Sequence, residues 1–288
     1  MKNPYKRTDI FRCKYHAHAK FDYKVSVYHV LRVKKCYPQG CLSFQWKCEL
    51  LQKGKSCVKG YNYVGKNCFG CRYYYDEKIN LHPELQISEE AYLGFLDELE
   101  DFEDWLESIQ GKFINFWGTI RSVKPKITKT IDNDKSSVHL DGYILHFEEG
   151  YLDTTHWADH CYALIFAEQQ ERYTFAPGDD VEFRCRAELD RGRLILRRLR
   201  DVEFRSKSQT ESWSNSTALV ARIAAVPFDT QPERCLHCDK GVLVDVLDKT
   251  NSHWERRREL YCLDAIQDPT LCSRNIETIE DELEEECP

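Results

Sequence analysis

The clearest periodic pattern in the chain lies between residues 88 and 110. Apolar side chains recur there at steps of three and four, which is the spacing of one face of an α-helix. They are Tyr92, Phe95, Leu96, Leu99, Phe102, Leu106 and Ile109. Ser88 suits the N-cap and Gly111 the C-terminal stop of this predicted helix. Its other face is acidic, and that face is either solvated or packed beside the basic N-terminal residues.

From residue 112 to residue 205 the chain is rich in strand-forming residues, many of them in alternation with polar ones. We predict five strands: Lys112–Ile127, Val138–Phe147, Cys161–Ala167, Asp180–Glu188 and Leu194–Phe204. The last two flank Leu189-Asp190-Arg191-Gly192, a tight-turn sequence that predicts a hairpin. Gly118 within the first strand predicts a bulge or a sharp bend.

Five strands with a bent first strand and a closing hairpin resemble an oligonucleotide/oligosaccharide-binding (OB) barrel. The resemblance is one of fold and covers only residues 112–205. SH3-like barrels and small sandwiches remain alternatives.

The remaining patterns are weaker. Alternating β-branched and aromatic residues predict a strand or hairpin over Phe21–Val33, and a further strand is predicted over Thr217–Val226. Residues 206–216 are polar, as in a linker. Residues 275–288 contain three consecutive glutamates and predict an acidic tail.

Charge is strongly segregated along the chain. Residues 1–80 carry 17 Lys/Arg against 5 Asp/Glu, whereas residues 81–111 carry 10 acids and neither Lys nor Arg. Residues 209–288 carry 17 acids against 8 cations. Such segregation indicates distinct modules, and the basic module indicates an anionic partner.

The 14 cysteines are best interpreted through the compartment of the protein. The first residues lack the apolar region of a secretory signal, and no stretch approaches the ~18 apolar residues of a spanning helix. We therefore expect a cytoplasmic protein with no membrane partner. In a reducing compartment, clustered cysteines bind metal more often than they form disulfides.

The C-terminal cysteines have the stronger metal-binding pattern. They are Cys235, Cys238, Cys262 and Cys272. A CxxC knuckle, an apolar run over Gly241–Val246 and two later cysteines resemble a zinc ribbon. A ribbon usually has a second CxxC, which is missing here, so His237 and His253 are alternative ligands. Reduced buried thiols without metal are the other interpretation.

The N-terminal set holds seven cysteines and two nearby histidines, which nearly fill two four-ligand sites. We assign one centre to Cys48, Cys57, Cys68 and Cys71, in which Cys68-Phe-Gly-Cys71 is a second knuckle. We assign the other to Cys13, His16, Cys36 and Cys41. Zinc suits mixed Cys/His sets, and a 4Fe-4S cluster remains an alternative because it also takes four thiolates.

The basic N-terminal residues are interleaved with aromatic ones, which favours nucleic acid as the partner, either DNA or RNA. Cations neutralise phosphates and aromatic rings stack on unpaired bases. The candidate contacts are Lys59, Tyr61, Tyr63, Lys66, Arg72, Arg193, Arg197 and Arg198. The metals would be structural. Nothing in the sequence identifies a catalytic residue, so a binding role is favoured over an enzymatic one.

Two alternatives remain open. The first is a non-catalytic accessory or scaffold subunit with protein partners. Zinc-ribbon/OB pairings are similar to the family of small proteins that associate with thiolases and acyl-transferring enzymes, although the ribbon usually precedes the barrel there. The second is an iron–sulfur protein with a redox or enzymatic role.

The predicted class is α+β, mostly β, with an OB-like five-stranded barrel flanked by two cysteine-rich metal-binding modules and one acidic amphipathic helix. The predicted segments are a basic aromatic cysteine-rich module (1–80), the acidic helix (81–111), the barrel (112–205), the linker (206–216), the ribbon-like module (217–274) and the tail (275–288).

Overall fold

The computed structural model describes residues 1–133, 135–229, 232–250 and 254–272. Strand residues outnumber helical ones, 40% against 25%, so the mostly-β α+β class is confirmed. Two compact units divide the chain: the N-terminal unit (residues 3–104) and the sheet unit (residues 1–2 and the described residues from 105 onward). None of the described helices is long and apolar enough to cross a membrane. The predicted acidic tail lies outside the described residues.

The N-terminal unit is built from short strands and two α-helices. Its strands are β1 (Phe11–Arg12), β2 (Lys24–Val25), β3 (Cys41–Cys48), β4 (Tyr74–Leu81) and β5 (Glu84–Leu85). Its helices are α1 (Glu49–Gln52) and the part of α2 (Glu89–Ile109) up to residue 104. It also contains 3-10 turns at Pro4–Lys6, His16–Phe21 and Lys66–Cys68 and a π-helix at Tyr28–Lys34. Strands β2, β1 and β5 form an antiparallel sheet in that order, whereas β3 and β4 form a separate antiparallel hairpin.

Helix α2 confirms the predicted amphipathic helix. The Ser88 hydroxyl accepts a hydrogen bond from the N–H of Ala91 at 3.2 Å, which is the contact an N-cap makes. Phe95, Leu99 and Phe102 are buried, as their spacing requires.

The acidic side of α2 contacts basic residues of the same unit, as one of the two interpretations predicts. The Glu103 carboxylate pairs with the Arg32 guanidinium and accepts a hydrogen bond from the Tyr5 hydroxyl. A second pair joins Arg7 to Glu98 at 3.6 Å. Opposite charges on the two segments therefore meet along this side of the helix, where exposed ion pairs contribute about 0–1 kcal/mol each.

The strand or hairpin predicted over Phe21–Val33 is wrong. Only β2 is extended there, and most of the rest of this segment belongs to the π-helix. Val27 and Val30 are both fully buried, and their three-residue spacing brings them to one side of a helical turn. Burial of that pair outweighs the β-propensity of the individual valines.

The sheet unit contains one long mixed sheet. Its strands are β6 (Ile114–Thr119), β7 (Ser122–Asp132), β8 (Lys135–Phe147), β9 (Gly150–Leu152), β10 (Thr155–Trp157), β11 (Cys161–Ile165), β12 (Asp180–Asp190), β13 (Arg193–Ser206), β14 (Val226–Pro227), β15 (Gly241–Asp248) and β16 (Glu255–Cys262). Its α-helices are α3 (Ala167–Tyr173), α4 (Asn215–Ala224) and α5 (Glu233–His237), and a 3-10 turn spans Pro269–Leu271.

The strand order is β10-β9-β6-β12-β13-β11-β8-β7-β15-β16-β14. Strands β11 and β13 are parallel, as are β7 and β15, and the other neighbouring strands are antiparallel. Among the described residues the sheet is open, so closure into a barrel stays a prediction. Strands β6 and β7 follow each other in the chain, yet β6 pairs with β12 and β7 pairs with β8.

The five predicted strands are all present, with one interruption. The first is split into β6 and β7 at residues 120–121, two residues beyond Gly118, where a bend is predicted. The predicted hairpin is confirmed: β12 and β13 are joined by Arg191 and Gly192, both with positive φ, as a two-residue turn of this hand requires. Inward-facing aromatic rings fill the core, with Phe116 4.7 Å from Phe147 between ring centroids.

The strand predicted over Thr217–Val226 is wrong, because most of this segment is helix α4. Ser214 caps the helix by accepting a hydrogen bond from the Thr217 N–H at 3.1 Å. Ala218 is fully buried, and Ala221 and Ala225 follow at helical spacing. The capping serine and the alanine spacing are the sequence signals that the strand prediction ignored.

The segment predicted as a linker is held in place by Asp179, which is fully buried. The Asp179 carboxylate accepts hydrogen bonds from the Ser208 N–H at 2.8 Å and from the Lys207 ammonium at 3.2 Å. The first residues of this segment are therefore fixed to the turn that precedes β12.

Candidate metal centres and nucleic-acid interface

The hairpin of β3 and β4 separates the N-terminal cysteines into two groups. Cys41 begins β3 and Cys48 ends it, paired with Leu81 and Tyr74 respectively. The two residues lie about 23 Å apart, because a strand rises about 3.3 Å per residue. Sulfur ligands of one zinc ion lie within about 4 Å of each other. Cys41 and Cys48 therefore cannot share a zinc ion, and the rest of the predicted partition stays a prediction.

At one end of the hairpin, the loop between β3 and β4 carries Cys57, Cys68 and Cys71. The N–H of Cys71 donates to the carbonyl of Cys68 at 2.9 Å, and Gly70 between them has φ +79°, which favours glycine. The Lys59 N–H points at the Cys57 sulfur at 3.4 Å. This N–H, followed by those of Tyr61 and Gly60, lowers the pKa of Cys57. The loop thus supplies donors that stabilise a thiolate.

At the other end of the hairpin lies a cavity of about 290 Å³. Cys13, Cys36 and Cys41 line it, together with His18 and His29. Burial raises the pKa of Cys36 to about 11, and the neighbouring thiols of Cys41 and Cys13 add to that shift. Three predicted ligands are therefore brought together. The fourth, His16, is exposed and does not line the cavity.

In the sheet unit, the C-terminal cysteines are also neighbours. Cys262 ends β16 opposite Gly241, which begins β15 just after the knuckle. Burial raises the pKa of Cys235, and the thiols of Cys238, Cys272 and Cys262 raise it further, whereas Arg234 lowers it. The other three predicted ligands therefore lie within electrostatic reach of Cys235. The side chain of His237 and the whole of His253 lie outside what the structure describes.

The backbone of the C-terminal knuckle is closely packed. The Lys240 N–H points at the Cys238 sulfur at 3.4 Å, and the Gly241 N–H donates to the Cys238 carbonyl at 3.0 Å. A Cβ atom at Gly241 would lie 1.7 Å from the carbonyl oxygen of Cys235, so only glycine fits there. This close approach explains why the residue three places after Cys238 is a glycine.

Lys124 on β7 anchors this knuckle, a role that the sequence does not reveal. Its ammonium donates to the carbonyls of Cys238 (2.7 Å), Gly241 (2.9 Å) and Leu236 (3.0 Å). Burial lowers the pKa of Lys124, while Asp239 and Cys238 oppose that shift. The lysine therefore brings a partly buried positive charge to a loop whose thiols would be negative when they bind metal.

Within each cysteine set the thiols lie near one another, but they do not surround a common point. Within the described ranges, no group of three or more Cys, His, Asp or Glu side chains is arranged to hold a metal ion. The thirteen cysteines in those ranges are free thiols. Their chemistry suits zinc, which binds thiolate sulfur and imidazole nitrogen. Metal binding at any of these sets would require the side chains to turn toward one point.

The predicted nucleic-acid contacts fall in two places. Lys59, Tyr61, Tyr63, Lys66 and Arg72 are all exposed on the loop between β3 and β4. In the sheet unit, the Arg197 side chain pairs with Glu188 at 3.1 Å, and Arg198 is exposed with φ +57°.

Arg193, by contrast, adjoins a cluster that the sequence reasoning missed. Burial raises the pKa of Tyr162 on β11, and Arg193 lowers it. The Tyr162 ring is stacked on the His146 ring of β8, with centroids 5.1 Å apart and an interplanar angle of 16°. His146 also contacts His160 through ring nitrogens 2.9 Å apart. The alternation along β8 and β11 could have placed His146 and Tyr162 on an outward face. The sequence did not show that these two strands are paired.

The chain matches no protein-family model, no curated protein and no solved structure. Its function must therefore be inferred from the arrangement of its own residues.

Proposed function

We propose that this chain is a metal-stabilised protein that binds nucleic acid, using an OB-like barrel in the sheet unit and the basic aromatic loop of the N-terminal unit. The observation that carries the proposal is the cluster of His146, His160, Tyr162 and Arg193. It combines stacked rings with a cation, which are the groups that bind unpaired bases and their phosphates.

The strand order supports an OB-like barrel. Strands β6 and β7 follow each other in one segment of the chain. β6 pairs with β12, and β7 pairs with β8. The ring β6-β12-β13-β11-β8-β7 would therefore close if these parts act as one bent strand. The parallel pairing of β11 with β13 and the helix α3 before β12 fit the same arrangement.

In that barrel, β8 and β11 would be the second and third strands, and Arg191–Gly192 would be the loop between the fourth and fifth. OB folds bind oligonucleotides on these elements. His146 lies on β8 and Tyr162 on β11, and Arg193 follows the loop as the first residue of β13. A single-stranded ligand would therefore cross β8 and β11 and reach the β12–β13 turn.

The N-terminal loop would supply a second contact. The Tyr63 side chain is 79% exposed and that of Phe69 is 52% exposed, which leaves both rings accessible to bases. The Arg72 guanidinium lies over the Tyr73 ring at 4.5 Å. Zinc at two or more of the cysteine sets would hold these loops in place, since a small unit gains folding free energy from metal binding.

The test is fluorescence anisotropy of labelled single-stranded DNA and RNA with the full metal-loaded chain across a salt series. We expect affinity to fall log-linearly with salt, and Arg193→Gln to reduce the slope by about 0.7, the value of one phosphate contact on a single strand. Arg205→Gln is the matched control, because Arg205 lies on the same strand but pairs with Glu182 at 2.7 Å.

Stacking is tested with a second pair of variants. Tyr162→Leu should weaken binding roughly tenfold, within the 1–3 kcal/mol range of one base–ring stack. Tyr151→Leu, also in the sheet unit, should leave affinity unchanged. Lys59→Gln with Lys66→Gln tests the N-terminal loop in the same assay. No binding at low salt would overturn the proposal.

A protein-docking role is the second candidate, and one observation favours it. Leu42, Phe44 and Trp46 alternate along β3 with side chains 58%, 61% and 42% exposed. Apolar residues at consecutive outward positions of a strand are typical of a surface that another protein covers. If the chain is an accessory subunit, these three side chains would form its main contact with a protein partner. Phe44→Ser would then abolish co-purification of that partner and leave the anisotropy of the labelled nucleic acid unchanged.

An iron–sulfur cluster is the alternative occupant of the Cys48, Cys57, Cys68 and Cys71 set. Four thiolates suit such a cluster as well as zinc. Visible charge-transfer absorption after anaerobic purification would assign iron, whereas a colourless protein containing zinc would assign zinc.

A further inference from the structure

The cavity at the start of β3 contains an unexplained polar atom. His18 Nδ1 is buried and has no hydrogen-bond partner in the described part of the chain. A buried polar atom without a partner costs about 1–3 kcal/mol, so it calls for an explanation, and a bound ion is one of them. The same cavity is lined by Cys13 and Cys36, each only 3% exposed, and by Cys41.

The ring of His18 is held in position by its neighbours. The imidazole hydrogen-bonds the backbone of Cys13, and because Nδ1 has no partner we assign this bond to Nε2. The His29 ring packs edge-on against it, with centroids 5.1 Å apart. Histidines that bind metal commonly donate their second ring N–H to a backbone carbonyl. His18 therefore already has the contacts of a metal ligand.

Its backbone is equally fixed. The His18 N–H donates to the Tyr15 carbonyl at 2.8 Å, and the His18 carbonyl accepts from the Tyr23 N–H at 3.0 Å. The Cys13 N–H in turn donates to the Tyr23 carbonyl at 2.9 Å. These bonds close the segment 13–23 into a loop that brings His18 back to Cys13.

We propose that Cys13, Cys36, Cys41 and Nδ1 of His18 bind one zinc ion, and that His18 rather than His16 is the imidazole ligand. Three thiolates and one imidazole form a closed structural zinc site. Binding releases three thiol protons to solvent and leaves a net charge of −1 on the centre. Lys34 lines the same cavity, and its ammonium would offset that charge. This inference rests on the metal-binding part of the proposed function and is independent of nucleic-acid binding.

His29 acts as a positioning residue in this arrangement. Its ring contacts His18 edge-on, and it comes from the π-helix that leads to Cys36. The three thiols come from three different segments, namely the end of β1, the residues after the π-helix and the start of β3. A bound zinc ion would therefore tie together three segments that are separated along the chain.

The experiment measures metal content and cobalt spectra of the full chain with single substitutions. His18→Ala should lose one equivalent of zinc, whereas His16→Ala, the matched control two residues away, should keep it. His18→Cys should retain the metal, and the thiolate–cobalt charge-transfer absorption of this centre should rise by roughly a third as a fourth sulfur joins three. That variant keeps the test valid if His18→Ala does not fold.

Two results would overturn the assignment. If His18→Ala retains all its zinc while His16→Ala or His29→Ala loses one equivalent, a different imidazole is the ligand and the metal-binding part of the proposed function survives. If the wild-type chain binds no metal at any cysteine set, both this inference and that part of the proposed function fail, whatever the anisotropy shows.

Discussion

The N-terminal unit and the sheet unit differ in the length of their strands and in how their apolar side chains are packed. In the sheet unit, apolar side chains alternate along long paired strands and fill a core in which Phe116, Phe147 and Phe183 contact one another. In the N-terminal unit, strands β1, β2 and β5 have two residues each, and the hairpin of β3 and β4 has both faces at least partly exposed.

Helix α2 adds Phe95, Leu99 and Phe102 to a small core that also contains Phe11 and Val30. The cysteine-rich loop between β3 and β4 is largely exposed. Small segments that cannot bury enough apolar area need another source of folding free energy. We therefore expect metal binding to contribute more to the folding free energy of the N-terminal unit than to that of the sheet unit.

Metal removal would test this comparison most strongly. We expect chelation to abolish amide protection along β3, β4 and residues 13–36, since structural zinc contributes about 10–16 kcal/mol in small zinc domains. Strands β12 and β13 should keep their protection, because their core does not involve cysteine sets. Hydrogen exchange read by mass spectrometry resolves the two units, and zinc add-back is the control. Equal loss in both units would break the comparison.

A core substitution in the sheet unit should show the opposite pattern. Phe116 is 1% exposed, and Phe116→Ala should destabilise the sheet unit by about 3–5 kcal/mol. Phe166 is 68% exposed, so Phe166→Ala is the matched control with an expected cost below about 1 kcal/mol. Urea unfolding followed by exchange in each unit measures both. A comparable loss in the two variants would contradict the assigned core.

The C-terminal knuckle gives an intermediate case, because it combines a cysteine set with the large sheet. Lys124→Met removes the donor to three backbone carbonyls, each of which costs about 1–3 kcal/mol when left unpaired. We expect the sheet unit to lose at least about 2 kcal/mol and to release its metal faster. Lys126→Met is the control, because Lys126 makes only a partly exposed pair with Asp141 at 3.1 Å. Unchanged metal release from Lys124→Met would contradict the anchoring role.

The smallest expected effect is on how the free energy of unfolding changes at alkaline pH. One tyrosine in each unit serves to test it. Burial raises the pKa of Tyr143 in the sheet unit to about 12, and burial followed by the Glu103 hydrogen bond raises that of Tyr5 in the N-terminal unit to about 12. The unfolded chain loses these protons near pH 10, before the folded chain does. The free energy of unfolding is therefore highest below pH 10 and falls between pH 10 and 12.

Tyr143→Phe should flatten that fall in the sheet unit alone, and Tyr5→Phe should flatten it in the N-terminal unit alone. Exchange rates of each unit across this pH range measure the two slopes separately. A flattening in the wrong unit would show that the alkaline sensitivity comes from other groups.

The sequence by itself determined the elements whose patterns are local and strongly periodic. Helix α2 and the β12–β13 hairpin were predictable because a capping serine, a heptad-like apolar spacing and an Asp-Arg-Gly turn each act over a few residues. Spacing alone could not settle the partition of the N-terminal cysteines, and the length of β3 separates only Cys41 from Cys48.

Only the tertiary structure decided the features that depend on contacts between distant segments. Val27 and Val30 are buried, which replaces a predicted strand with a π-helix. Lys124 reaches a knuckle more than a hundred residues away, and His18 lines the cavity that spacing had given to His16. His16 and His18 are only two residues apart, so the sequence alone gives little reason to choose between them as ligands. The fold decides that the His18 ring lines the cavity while His16 is exposed.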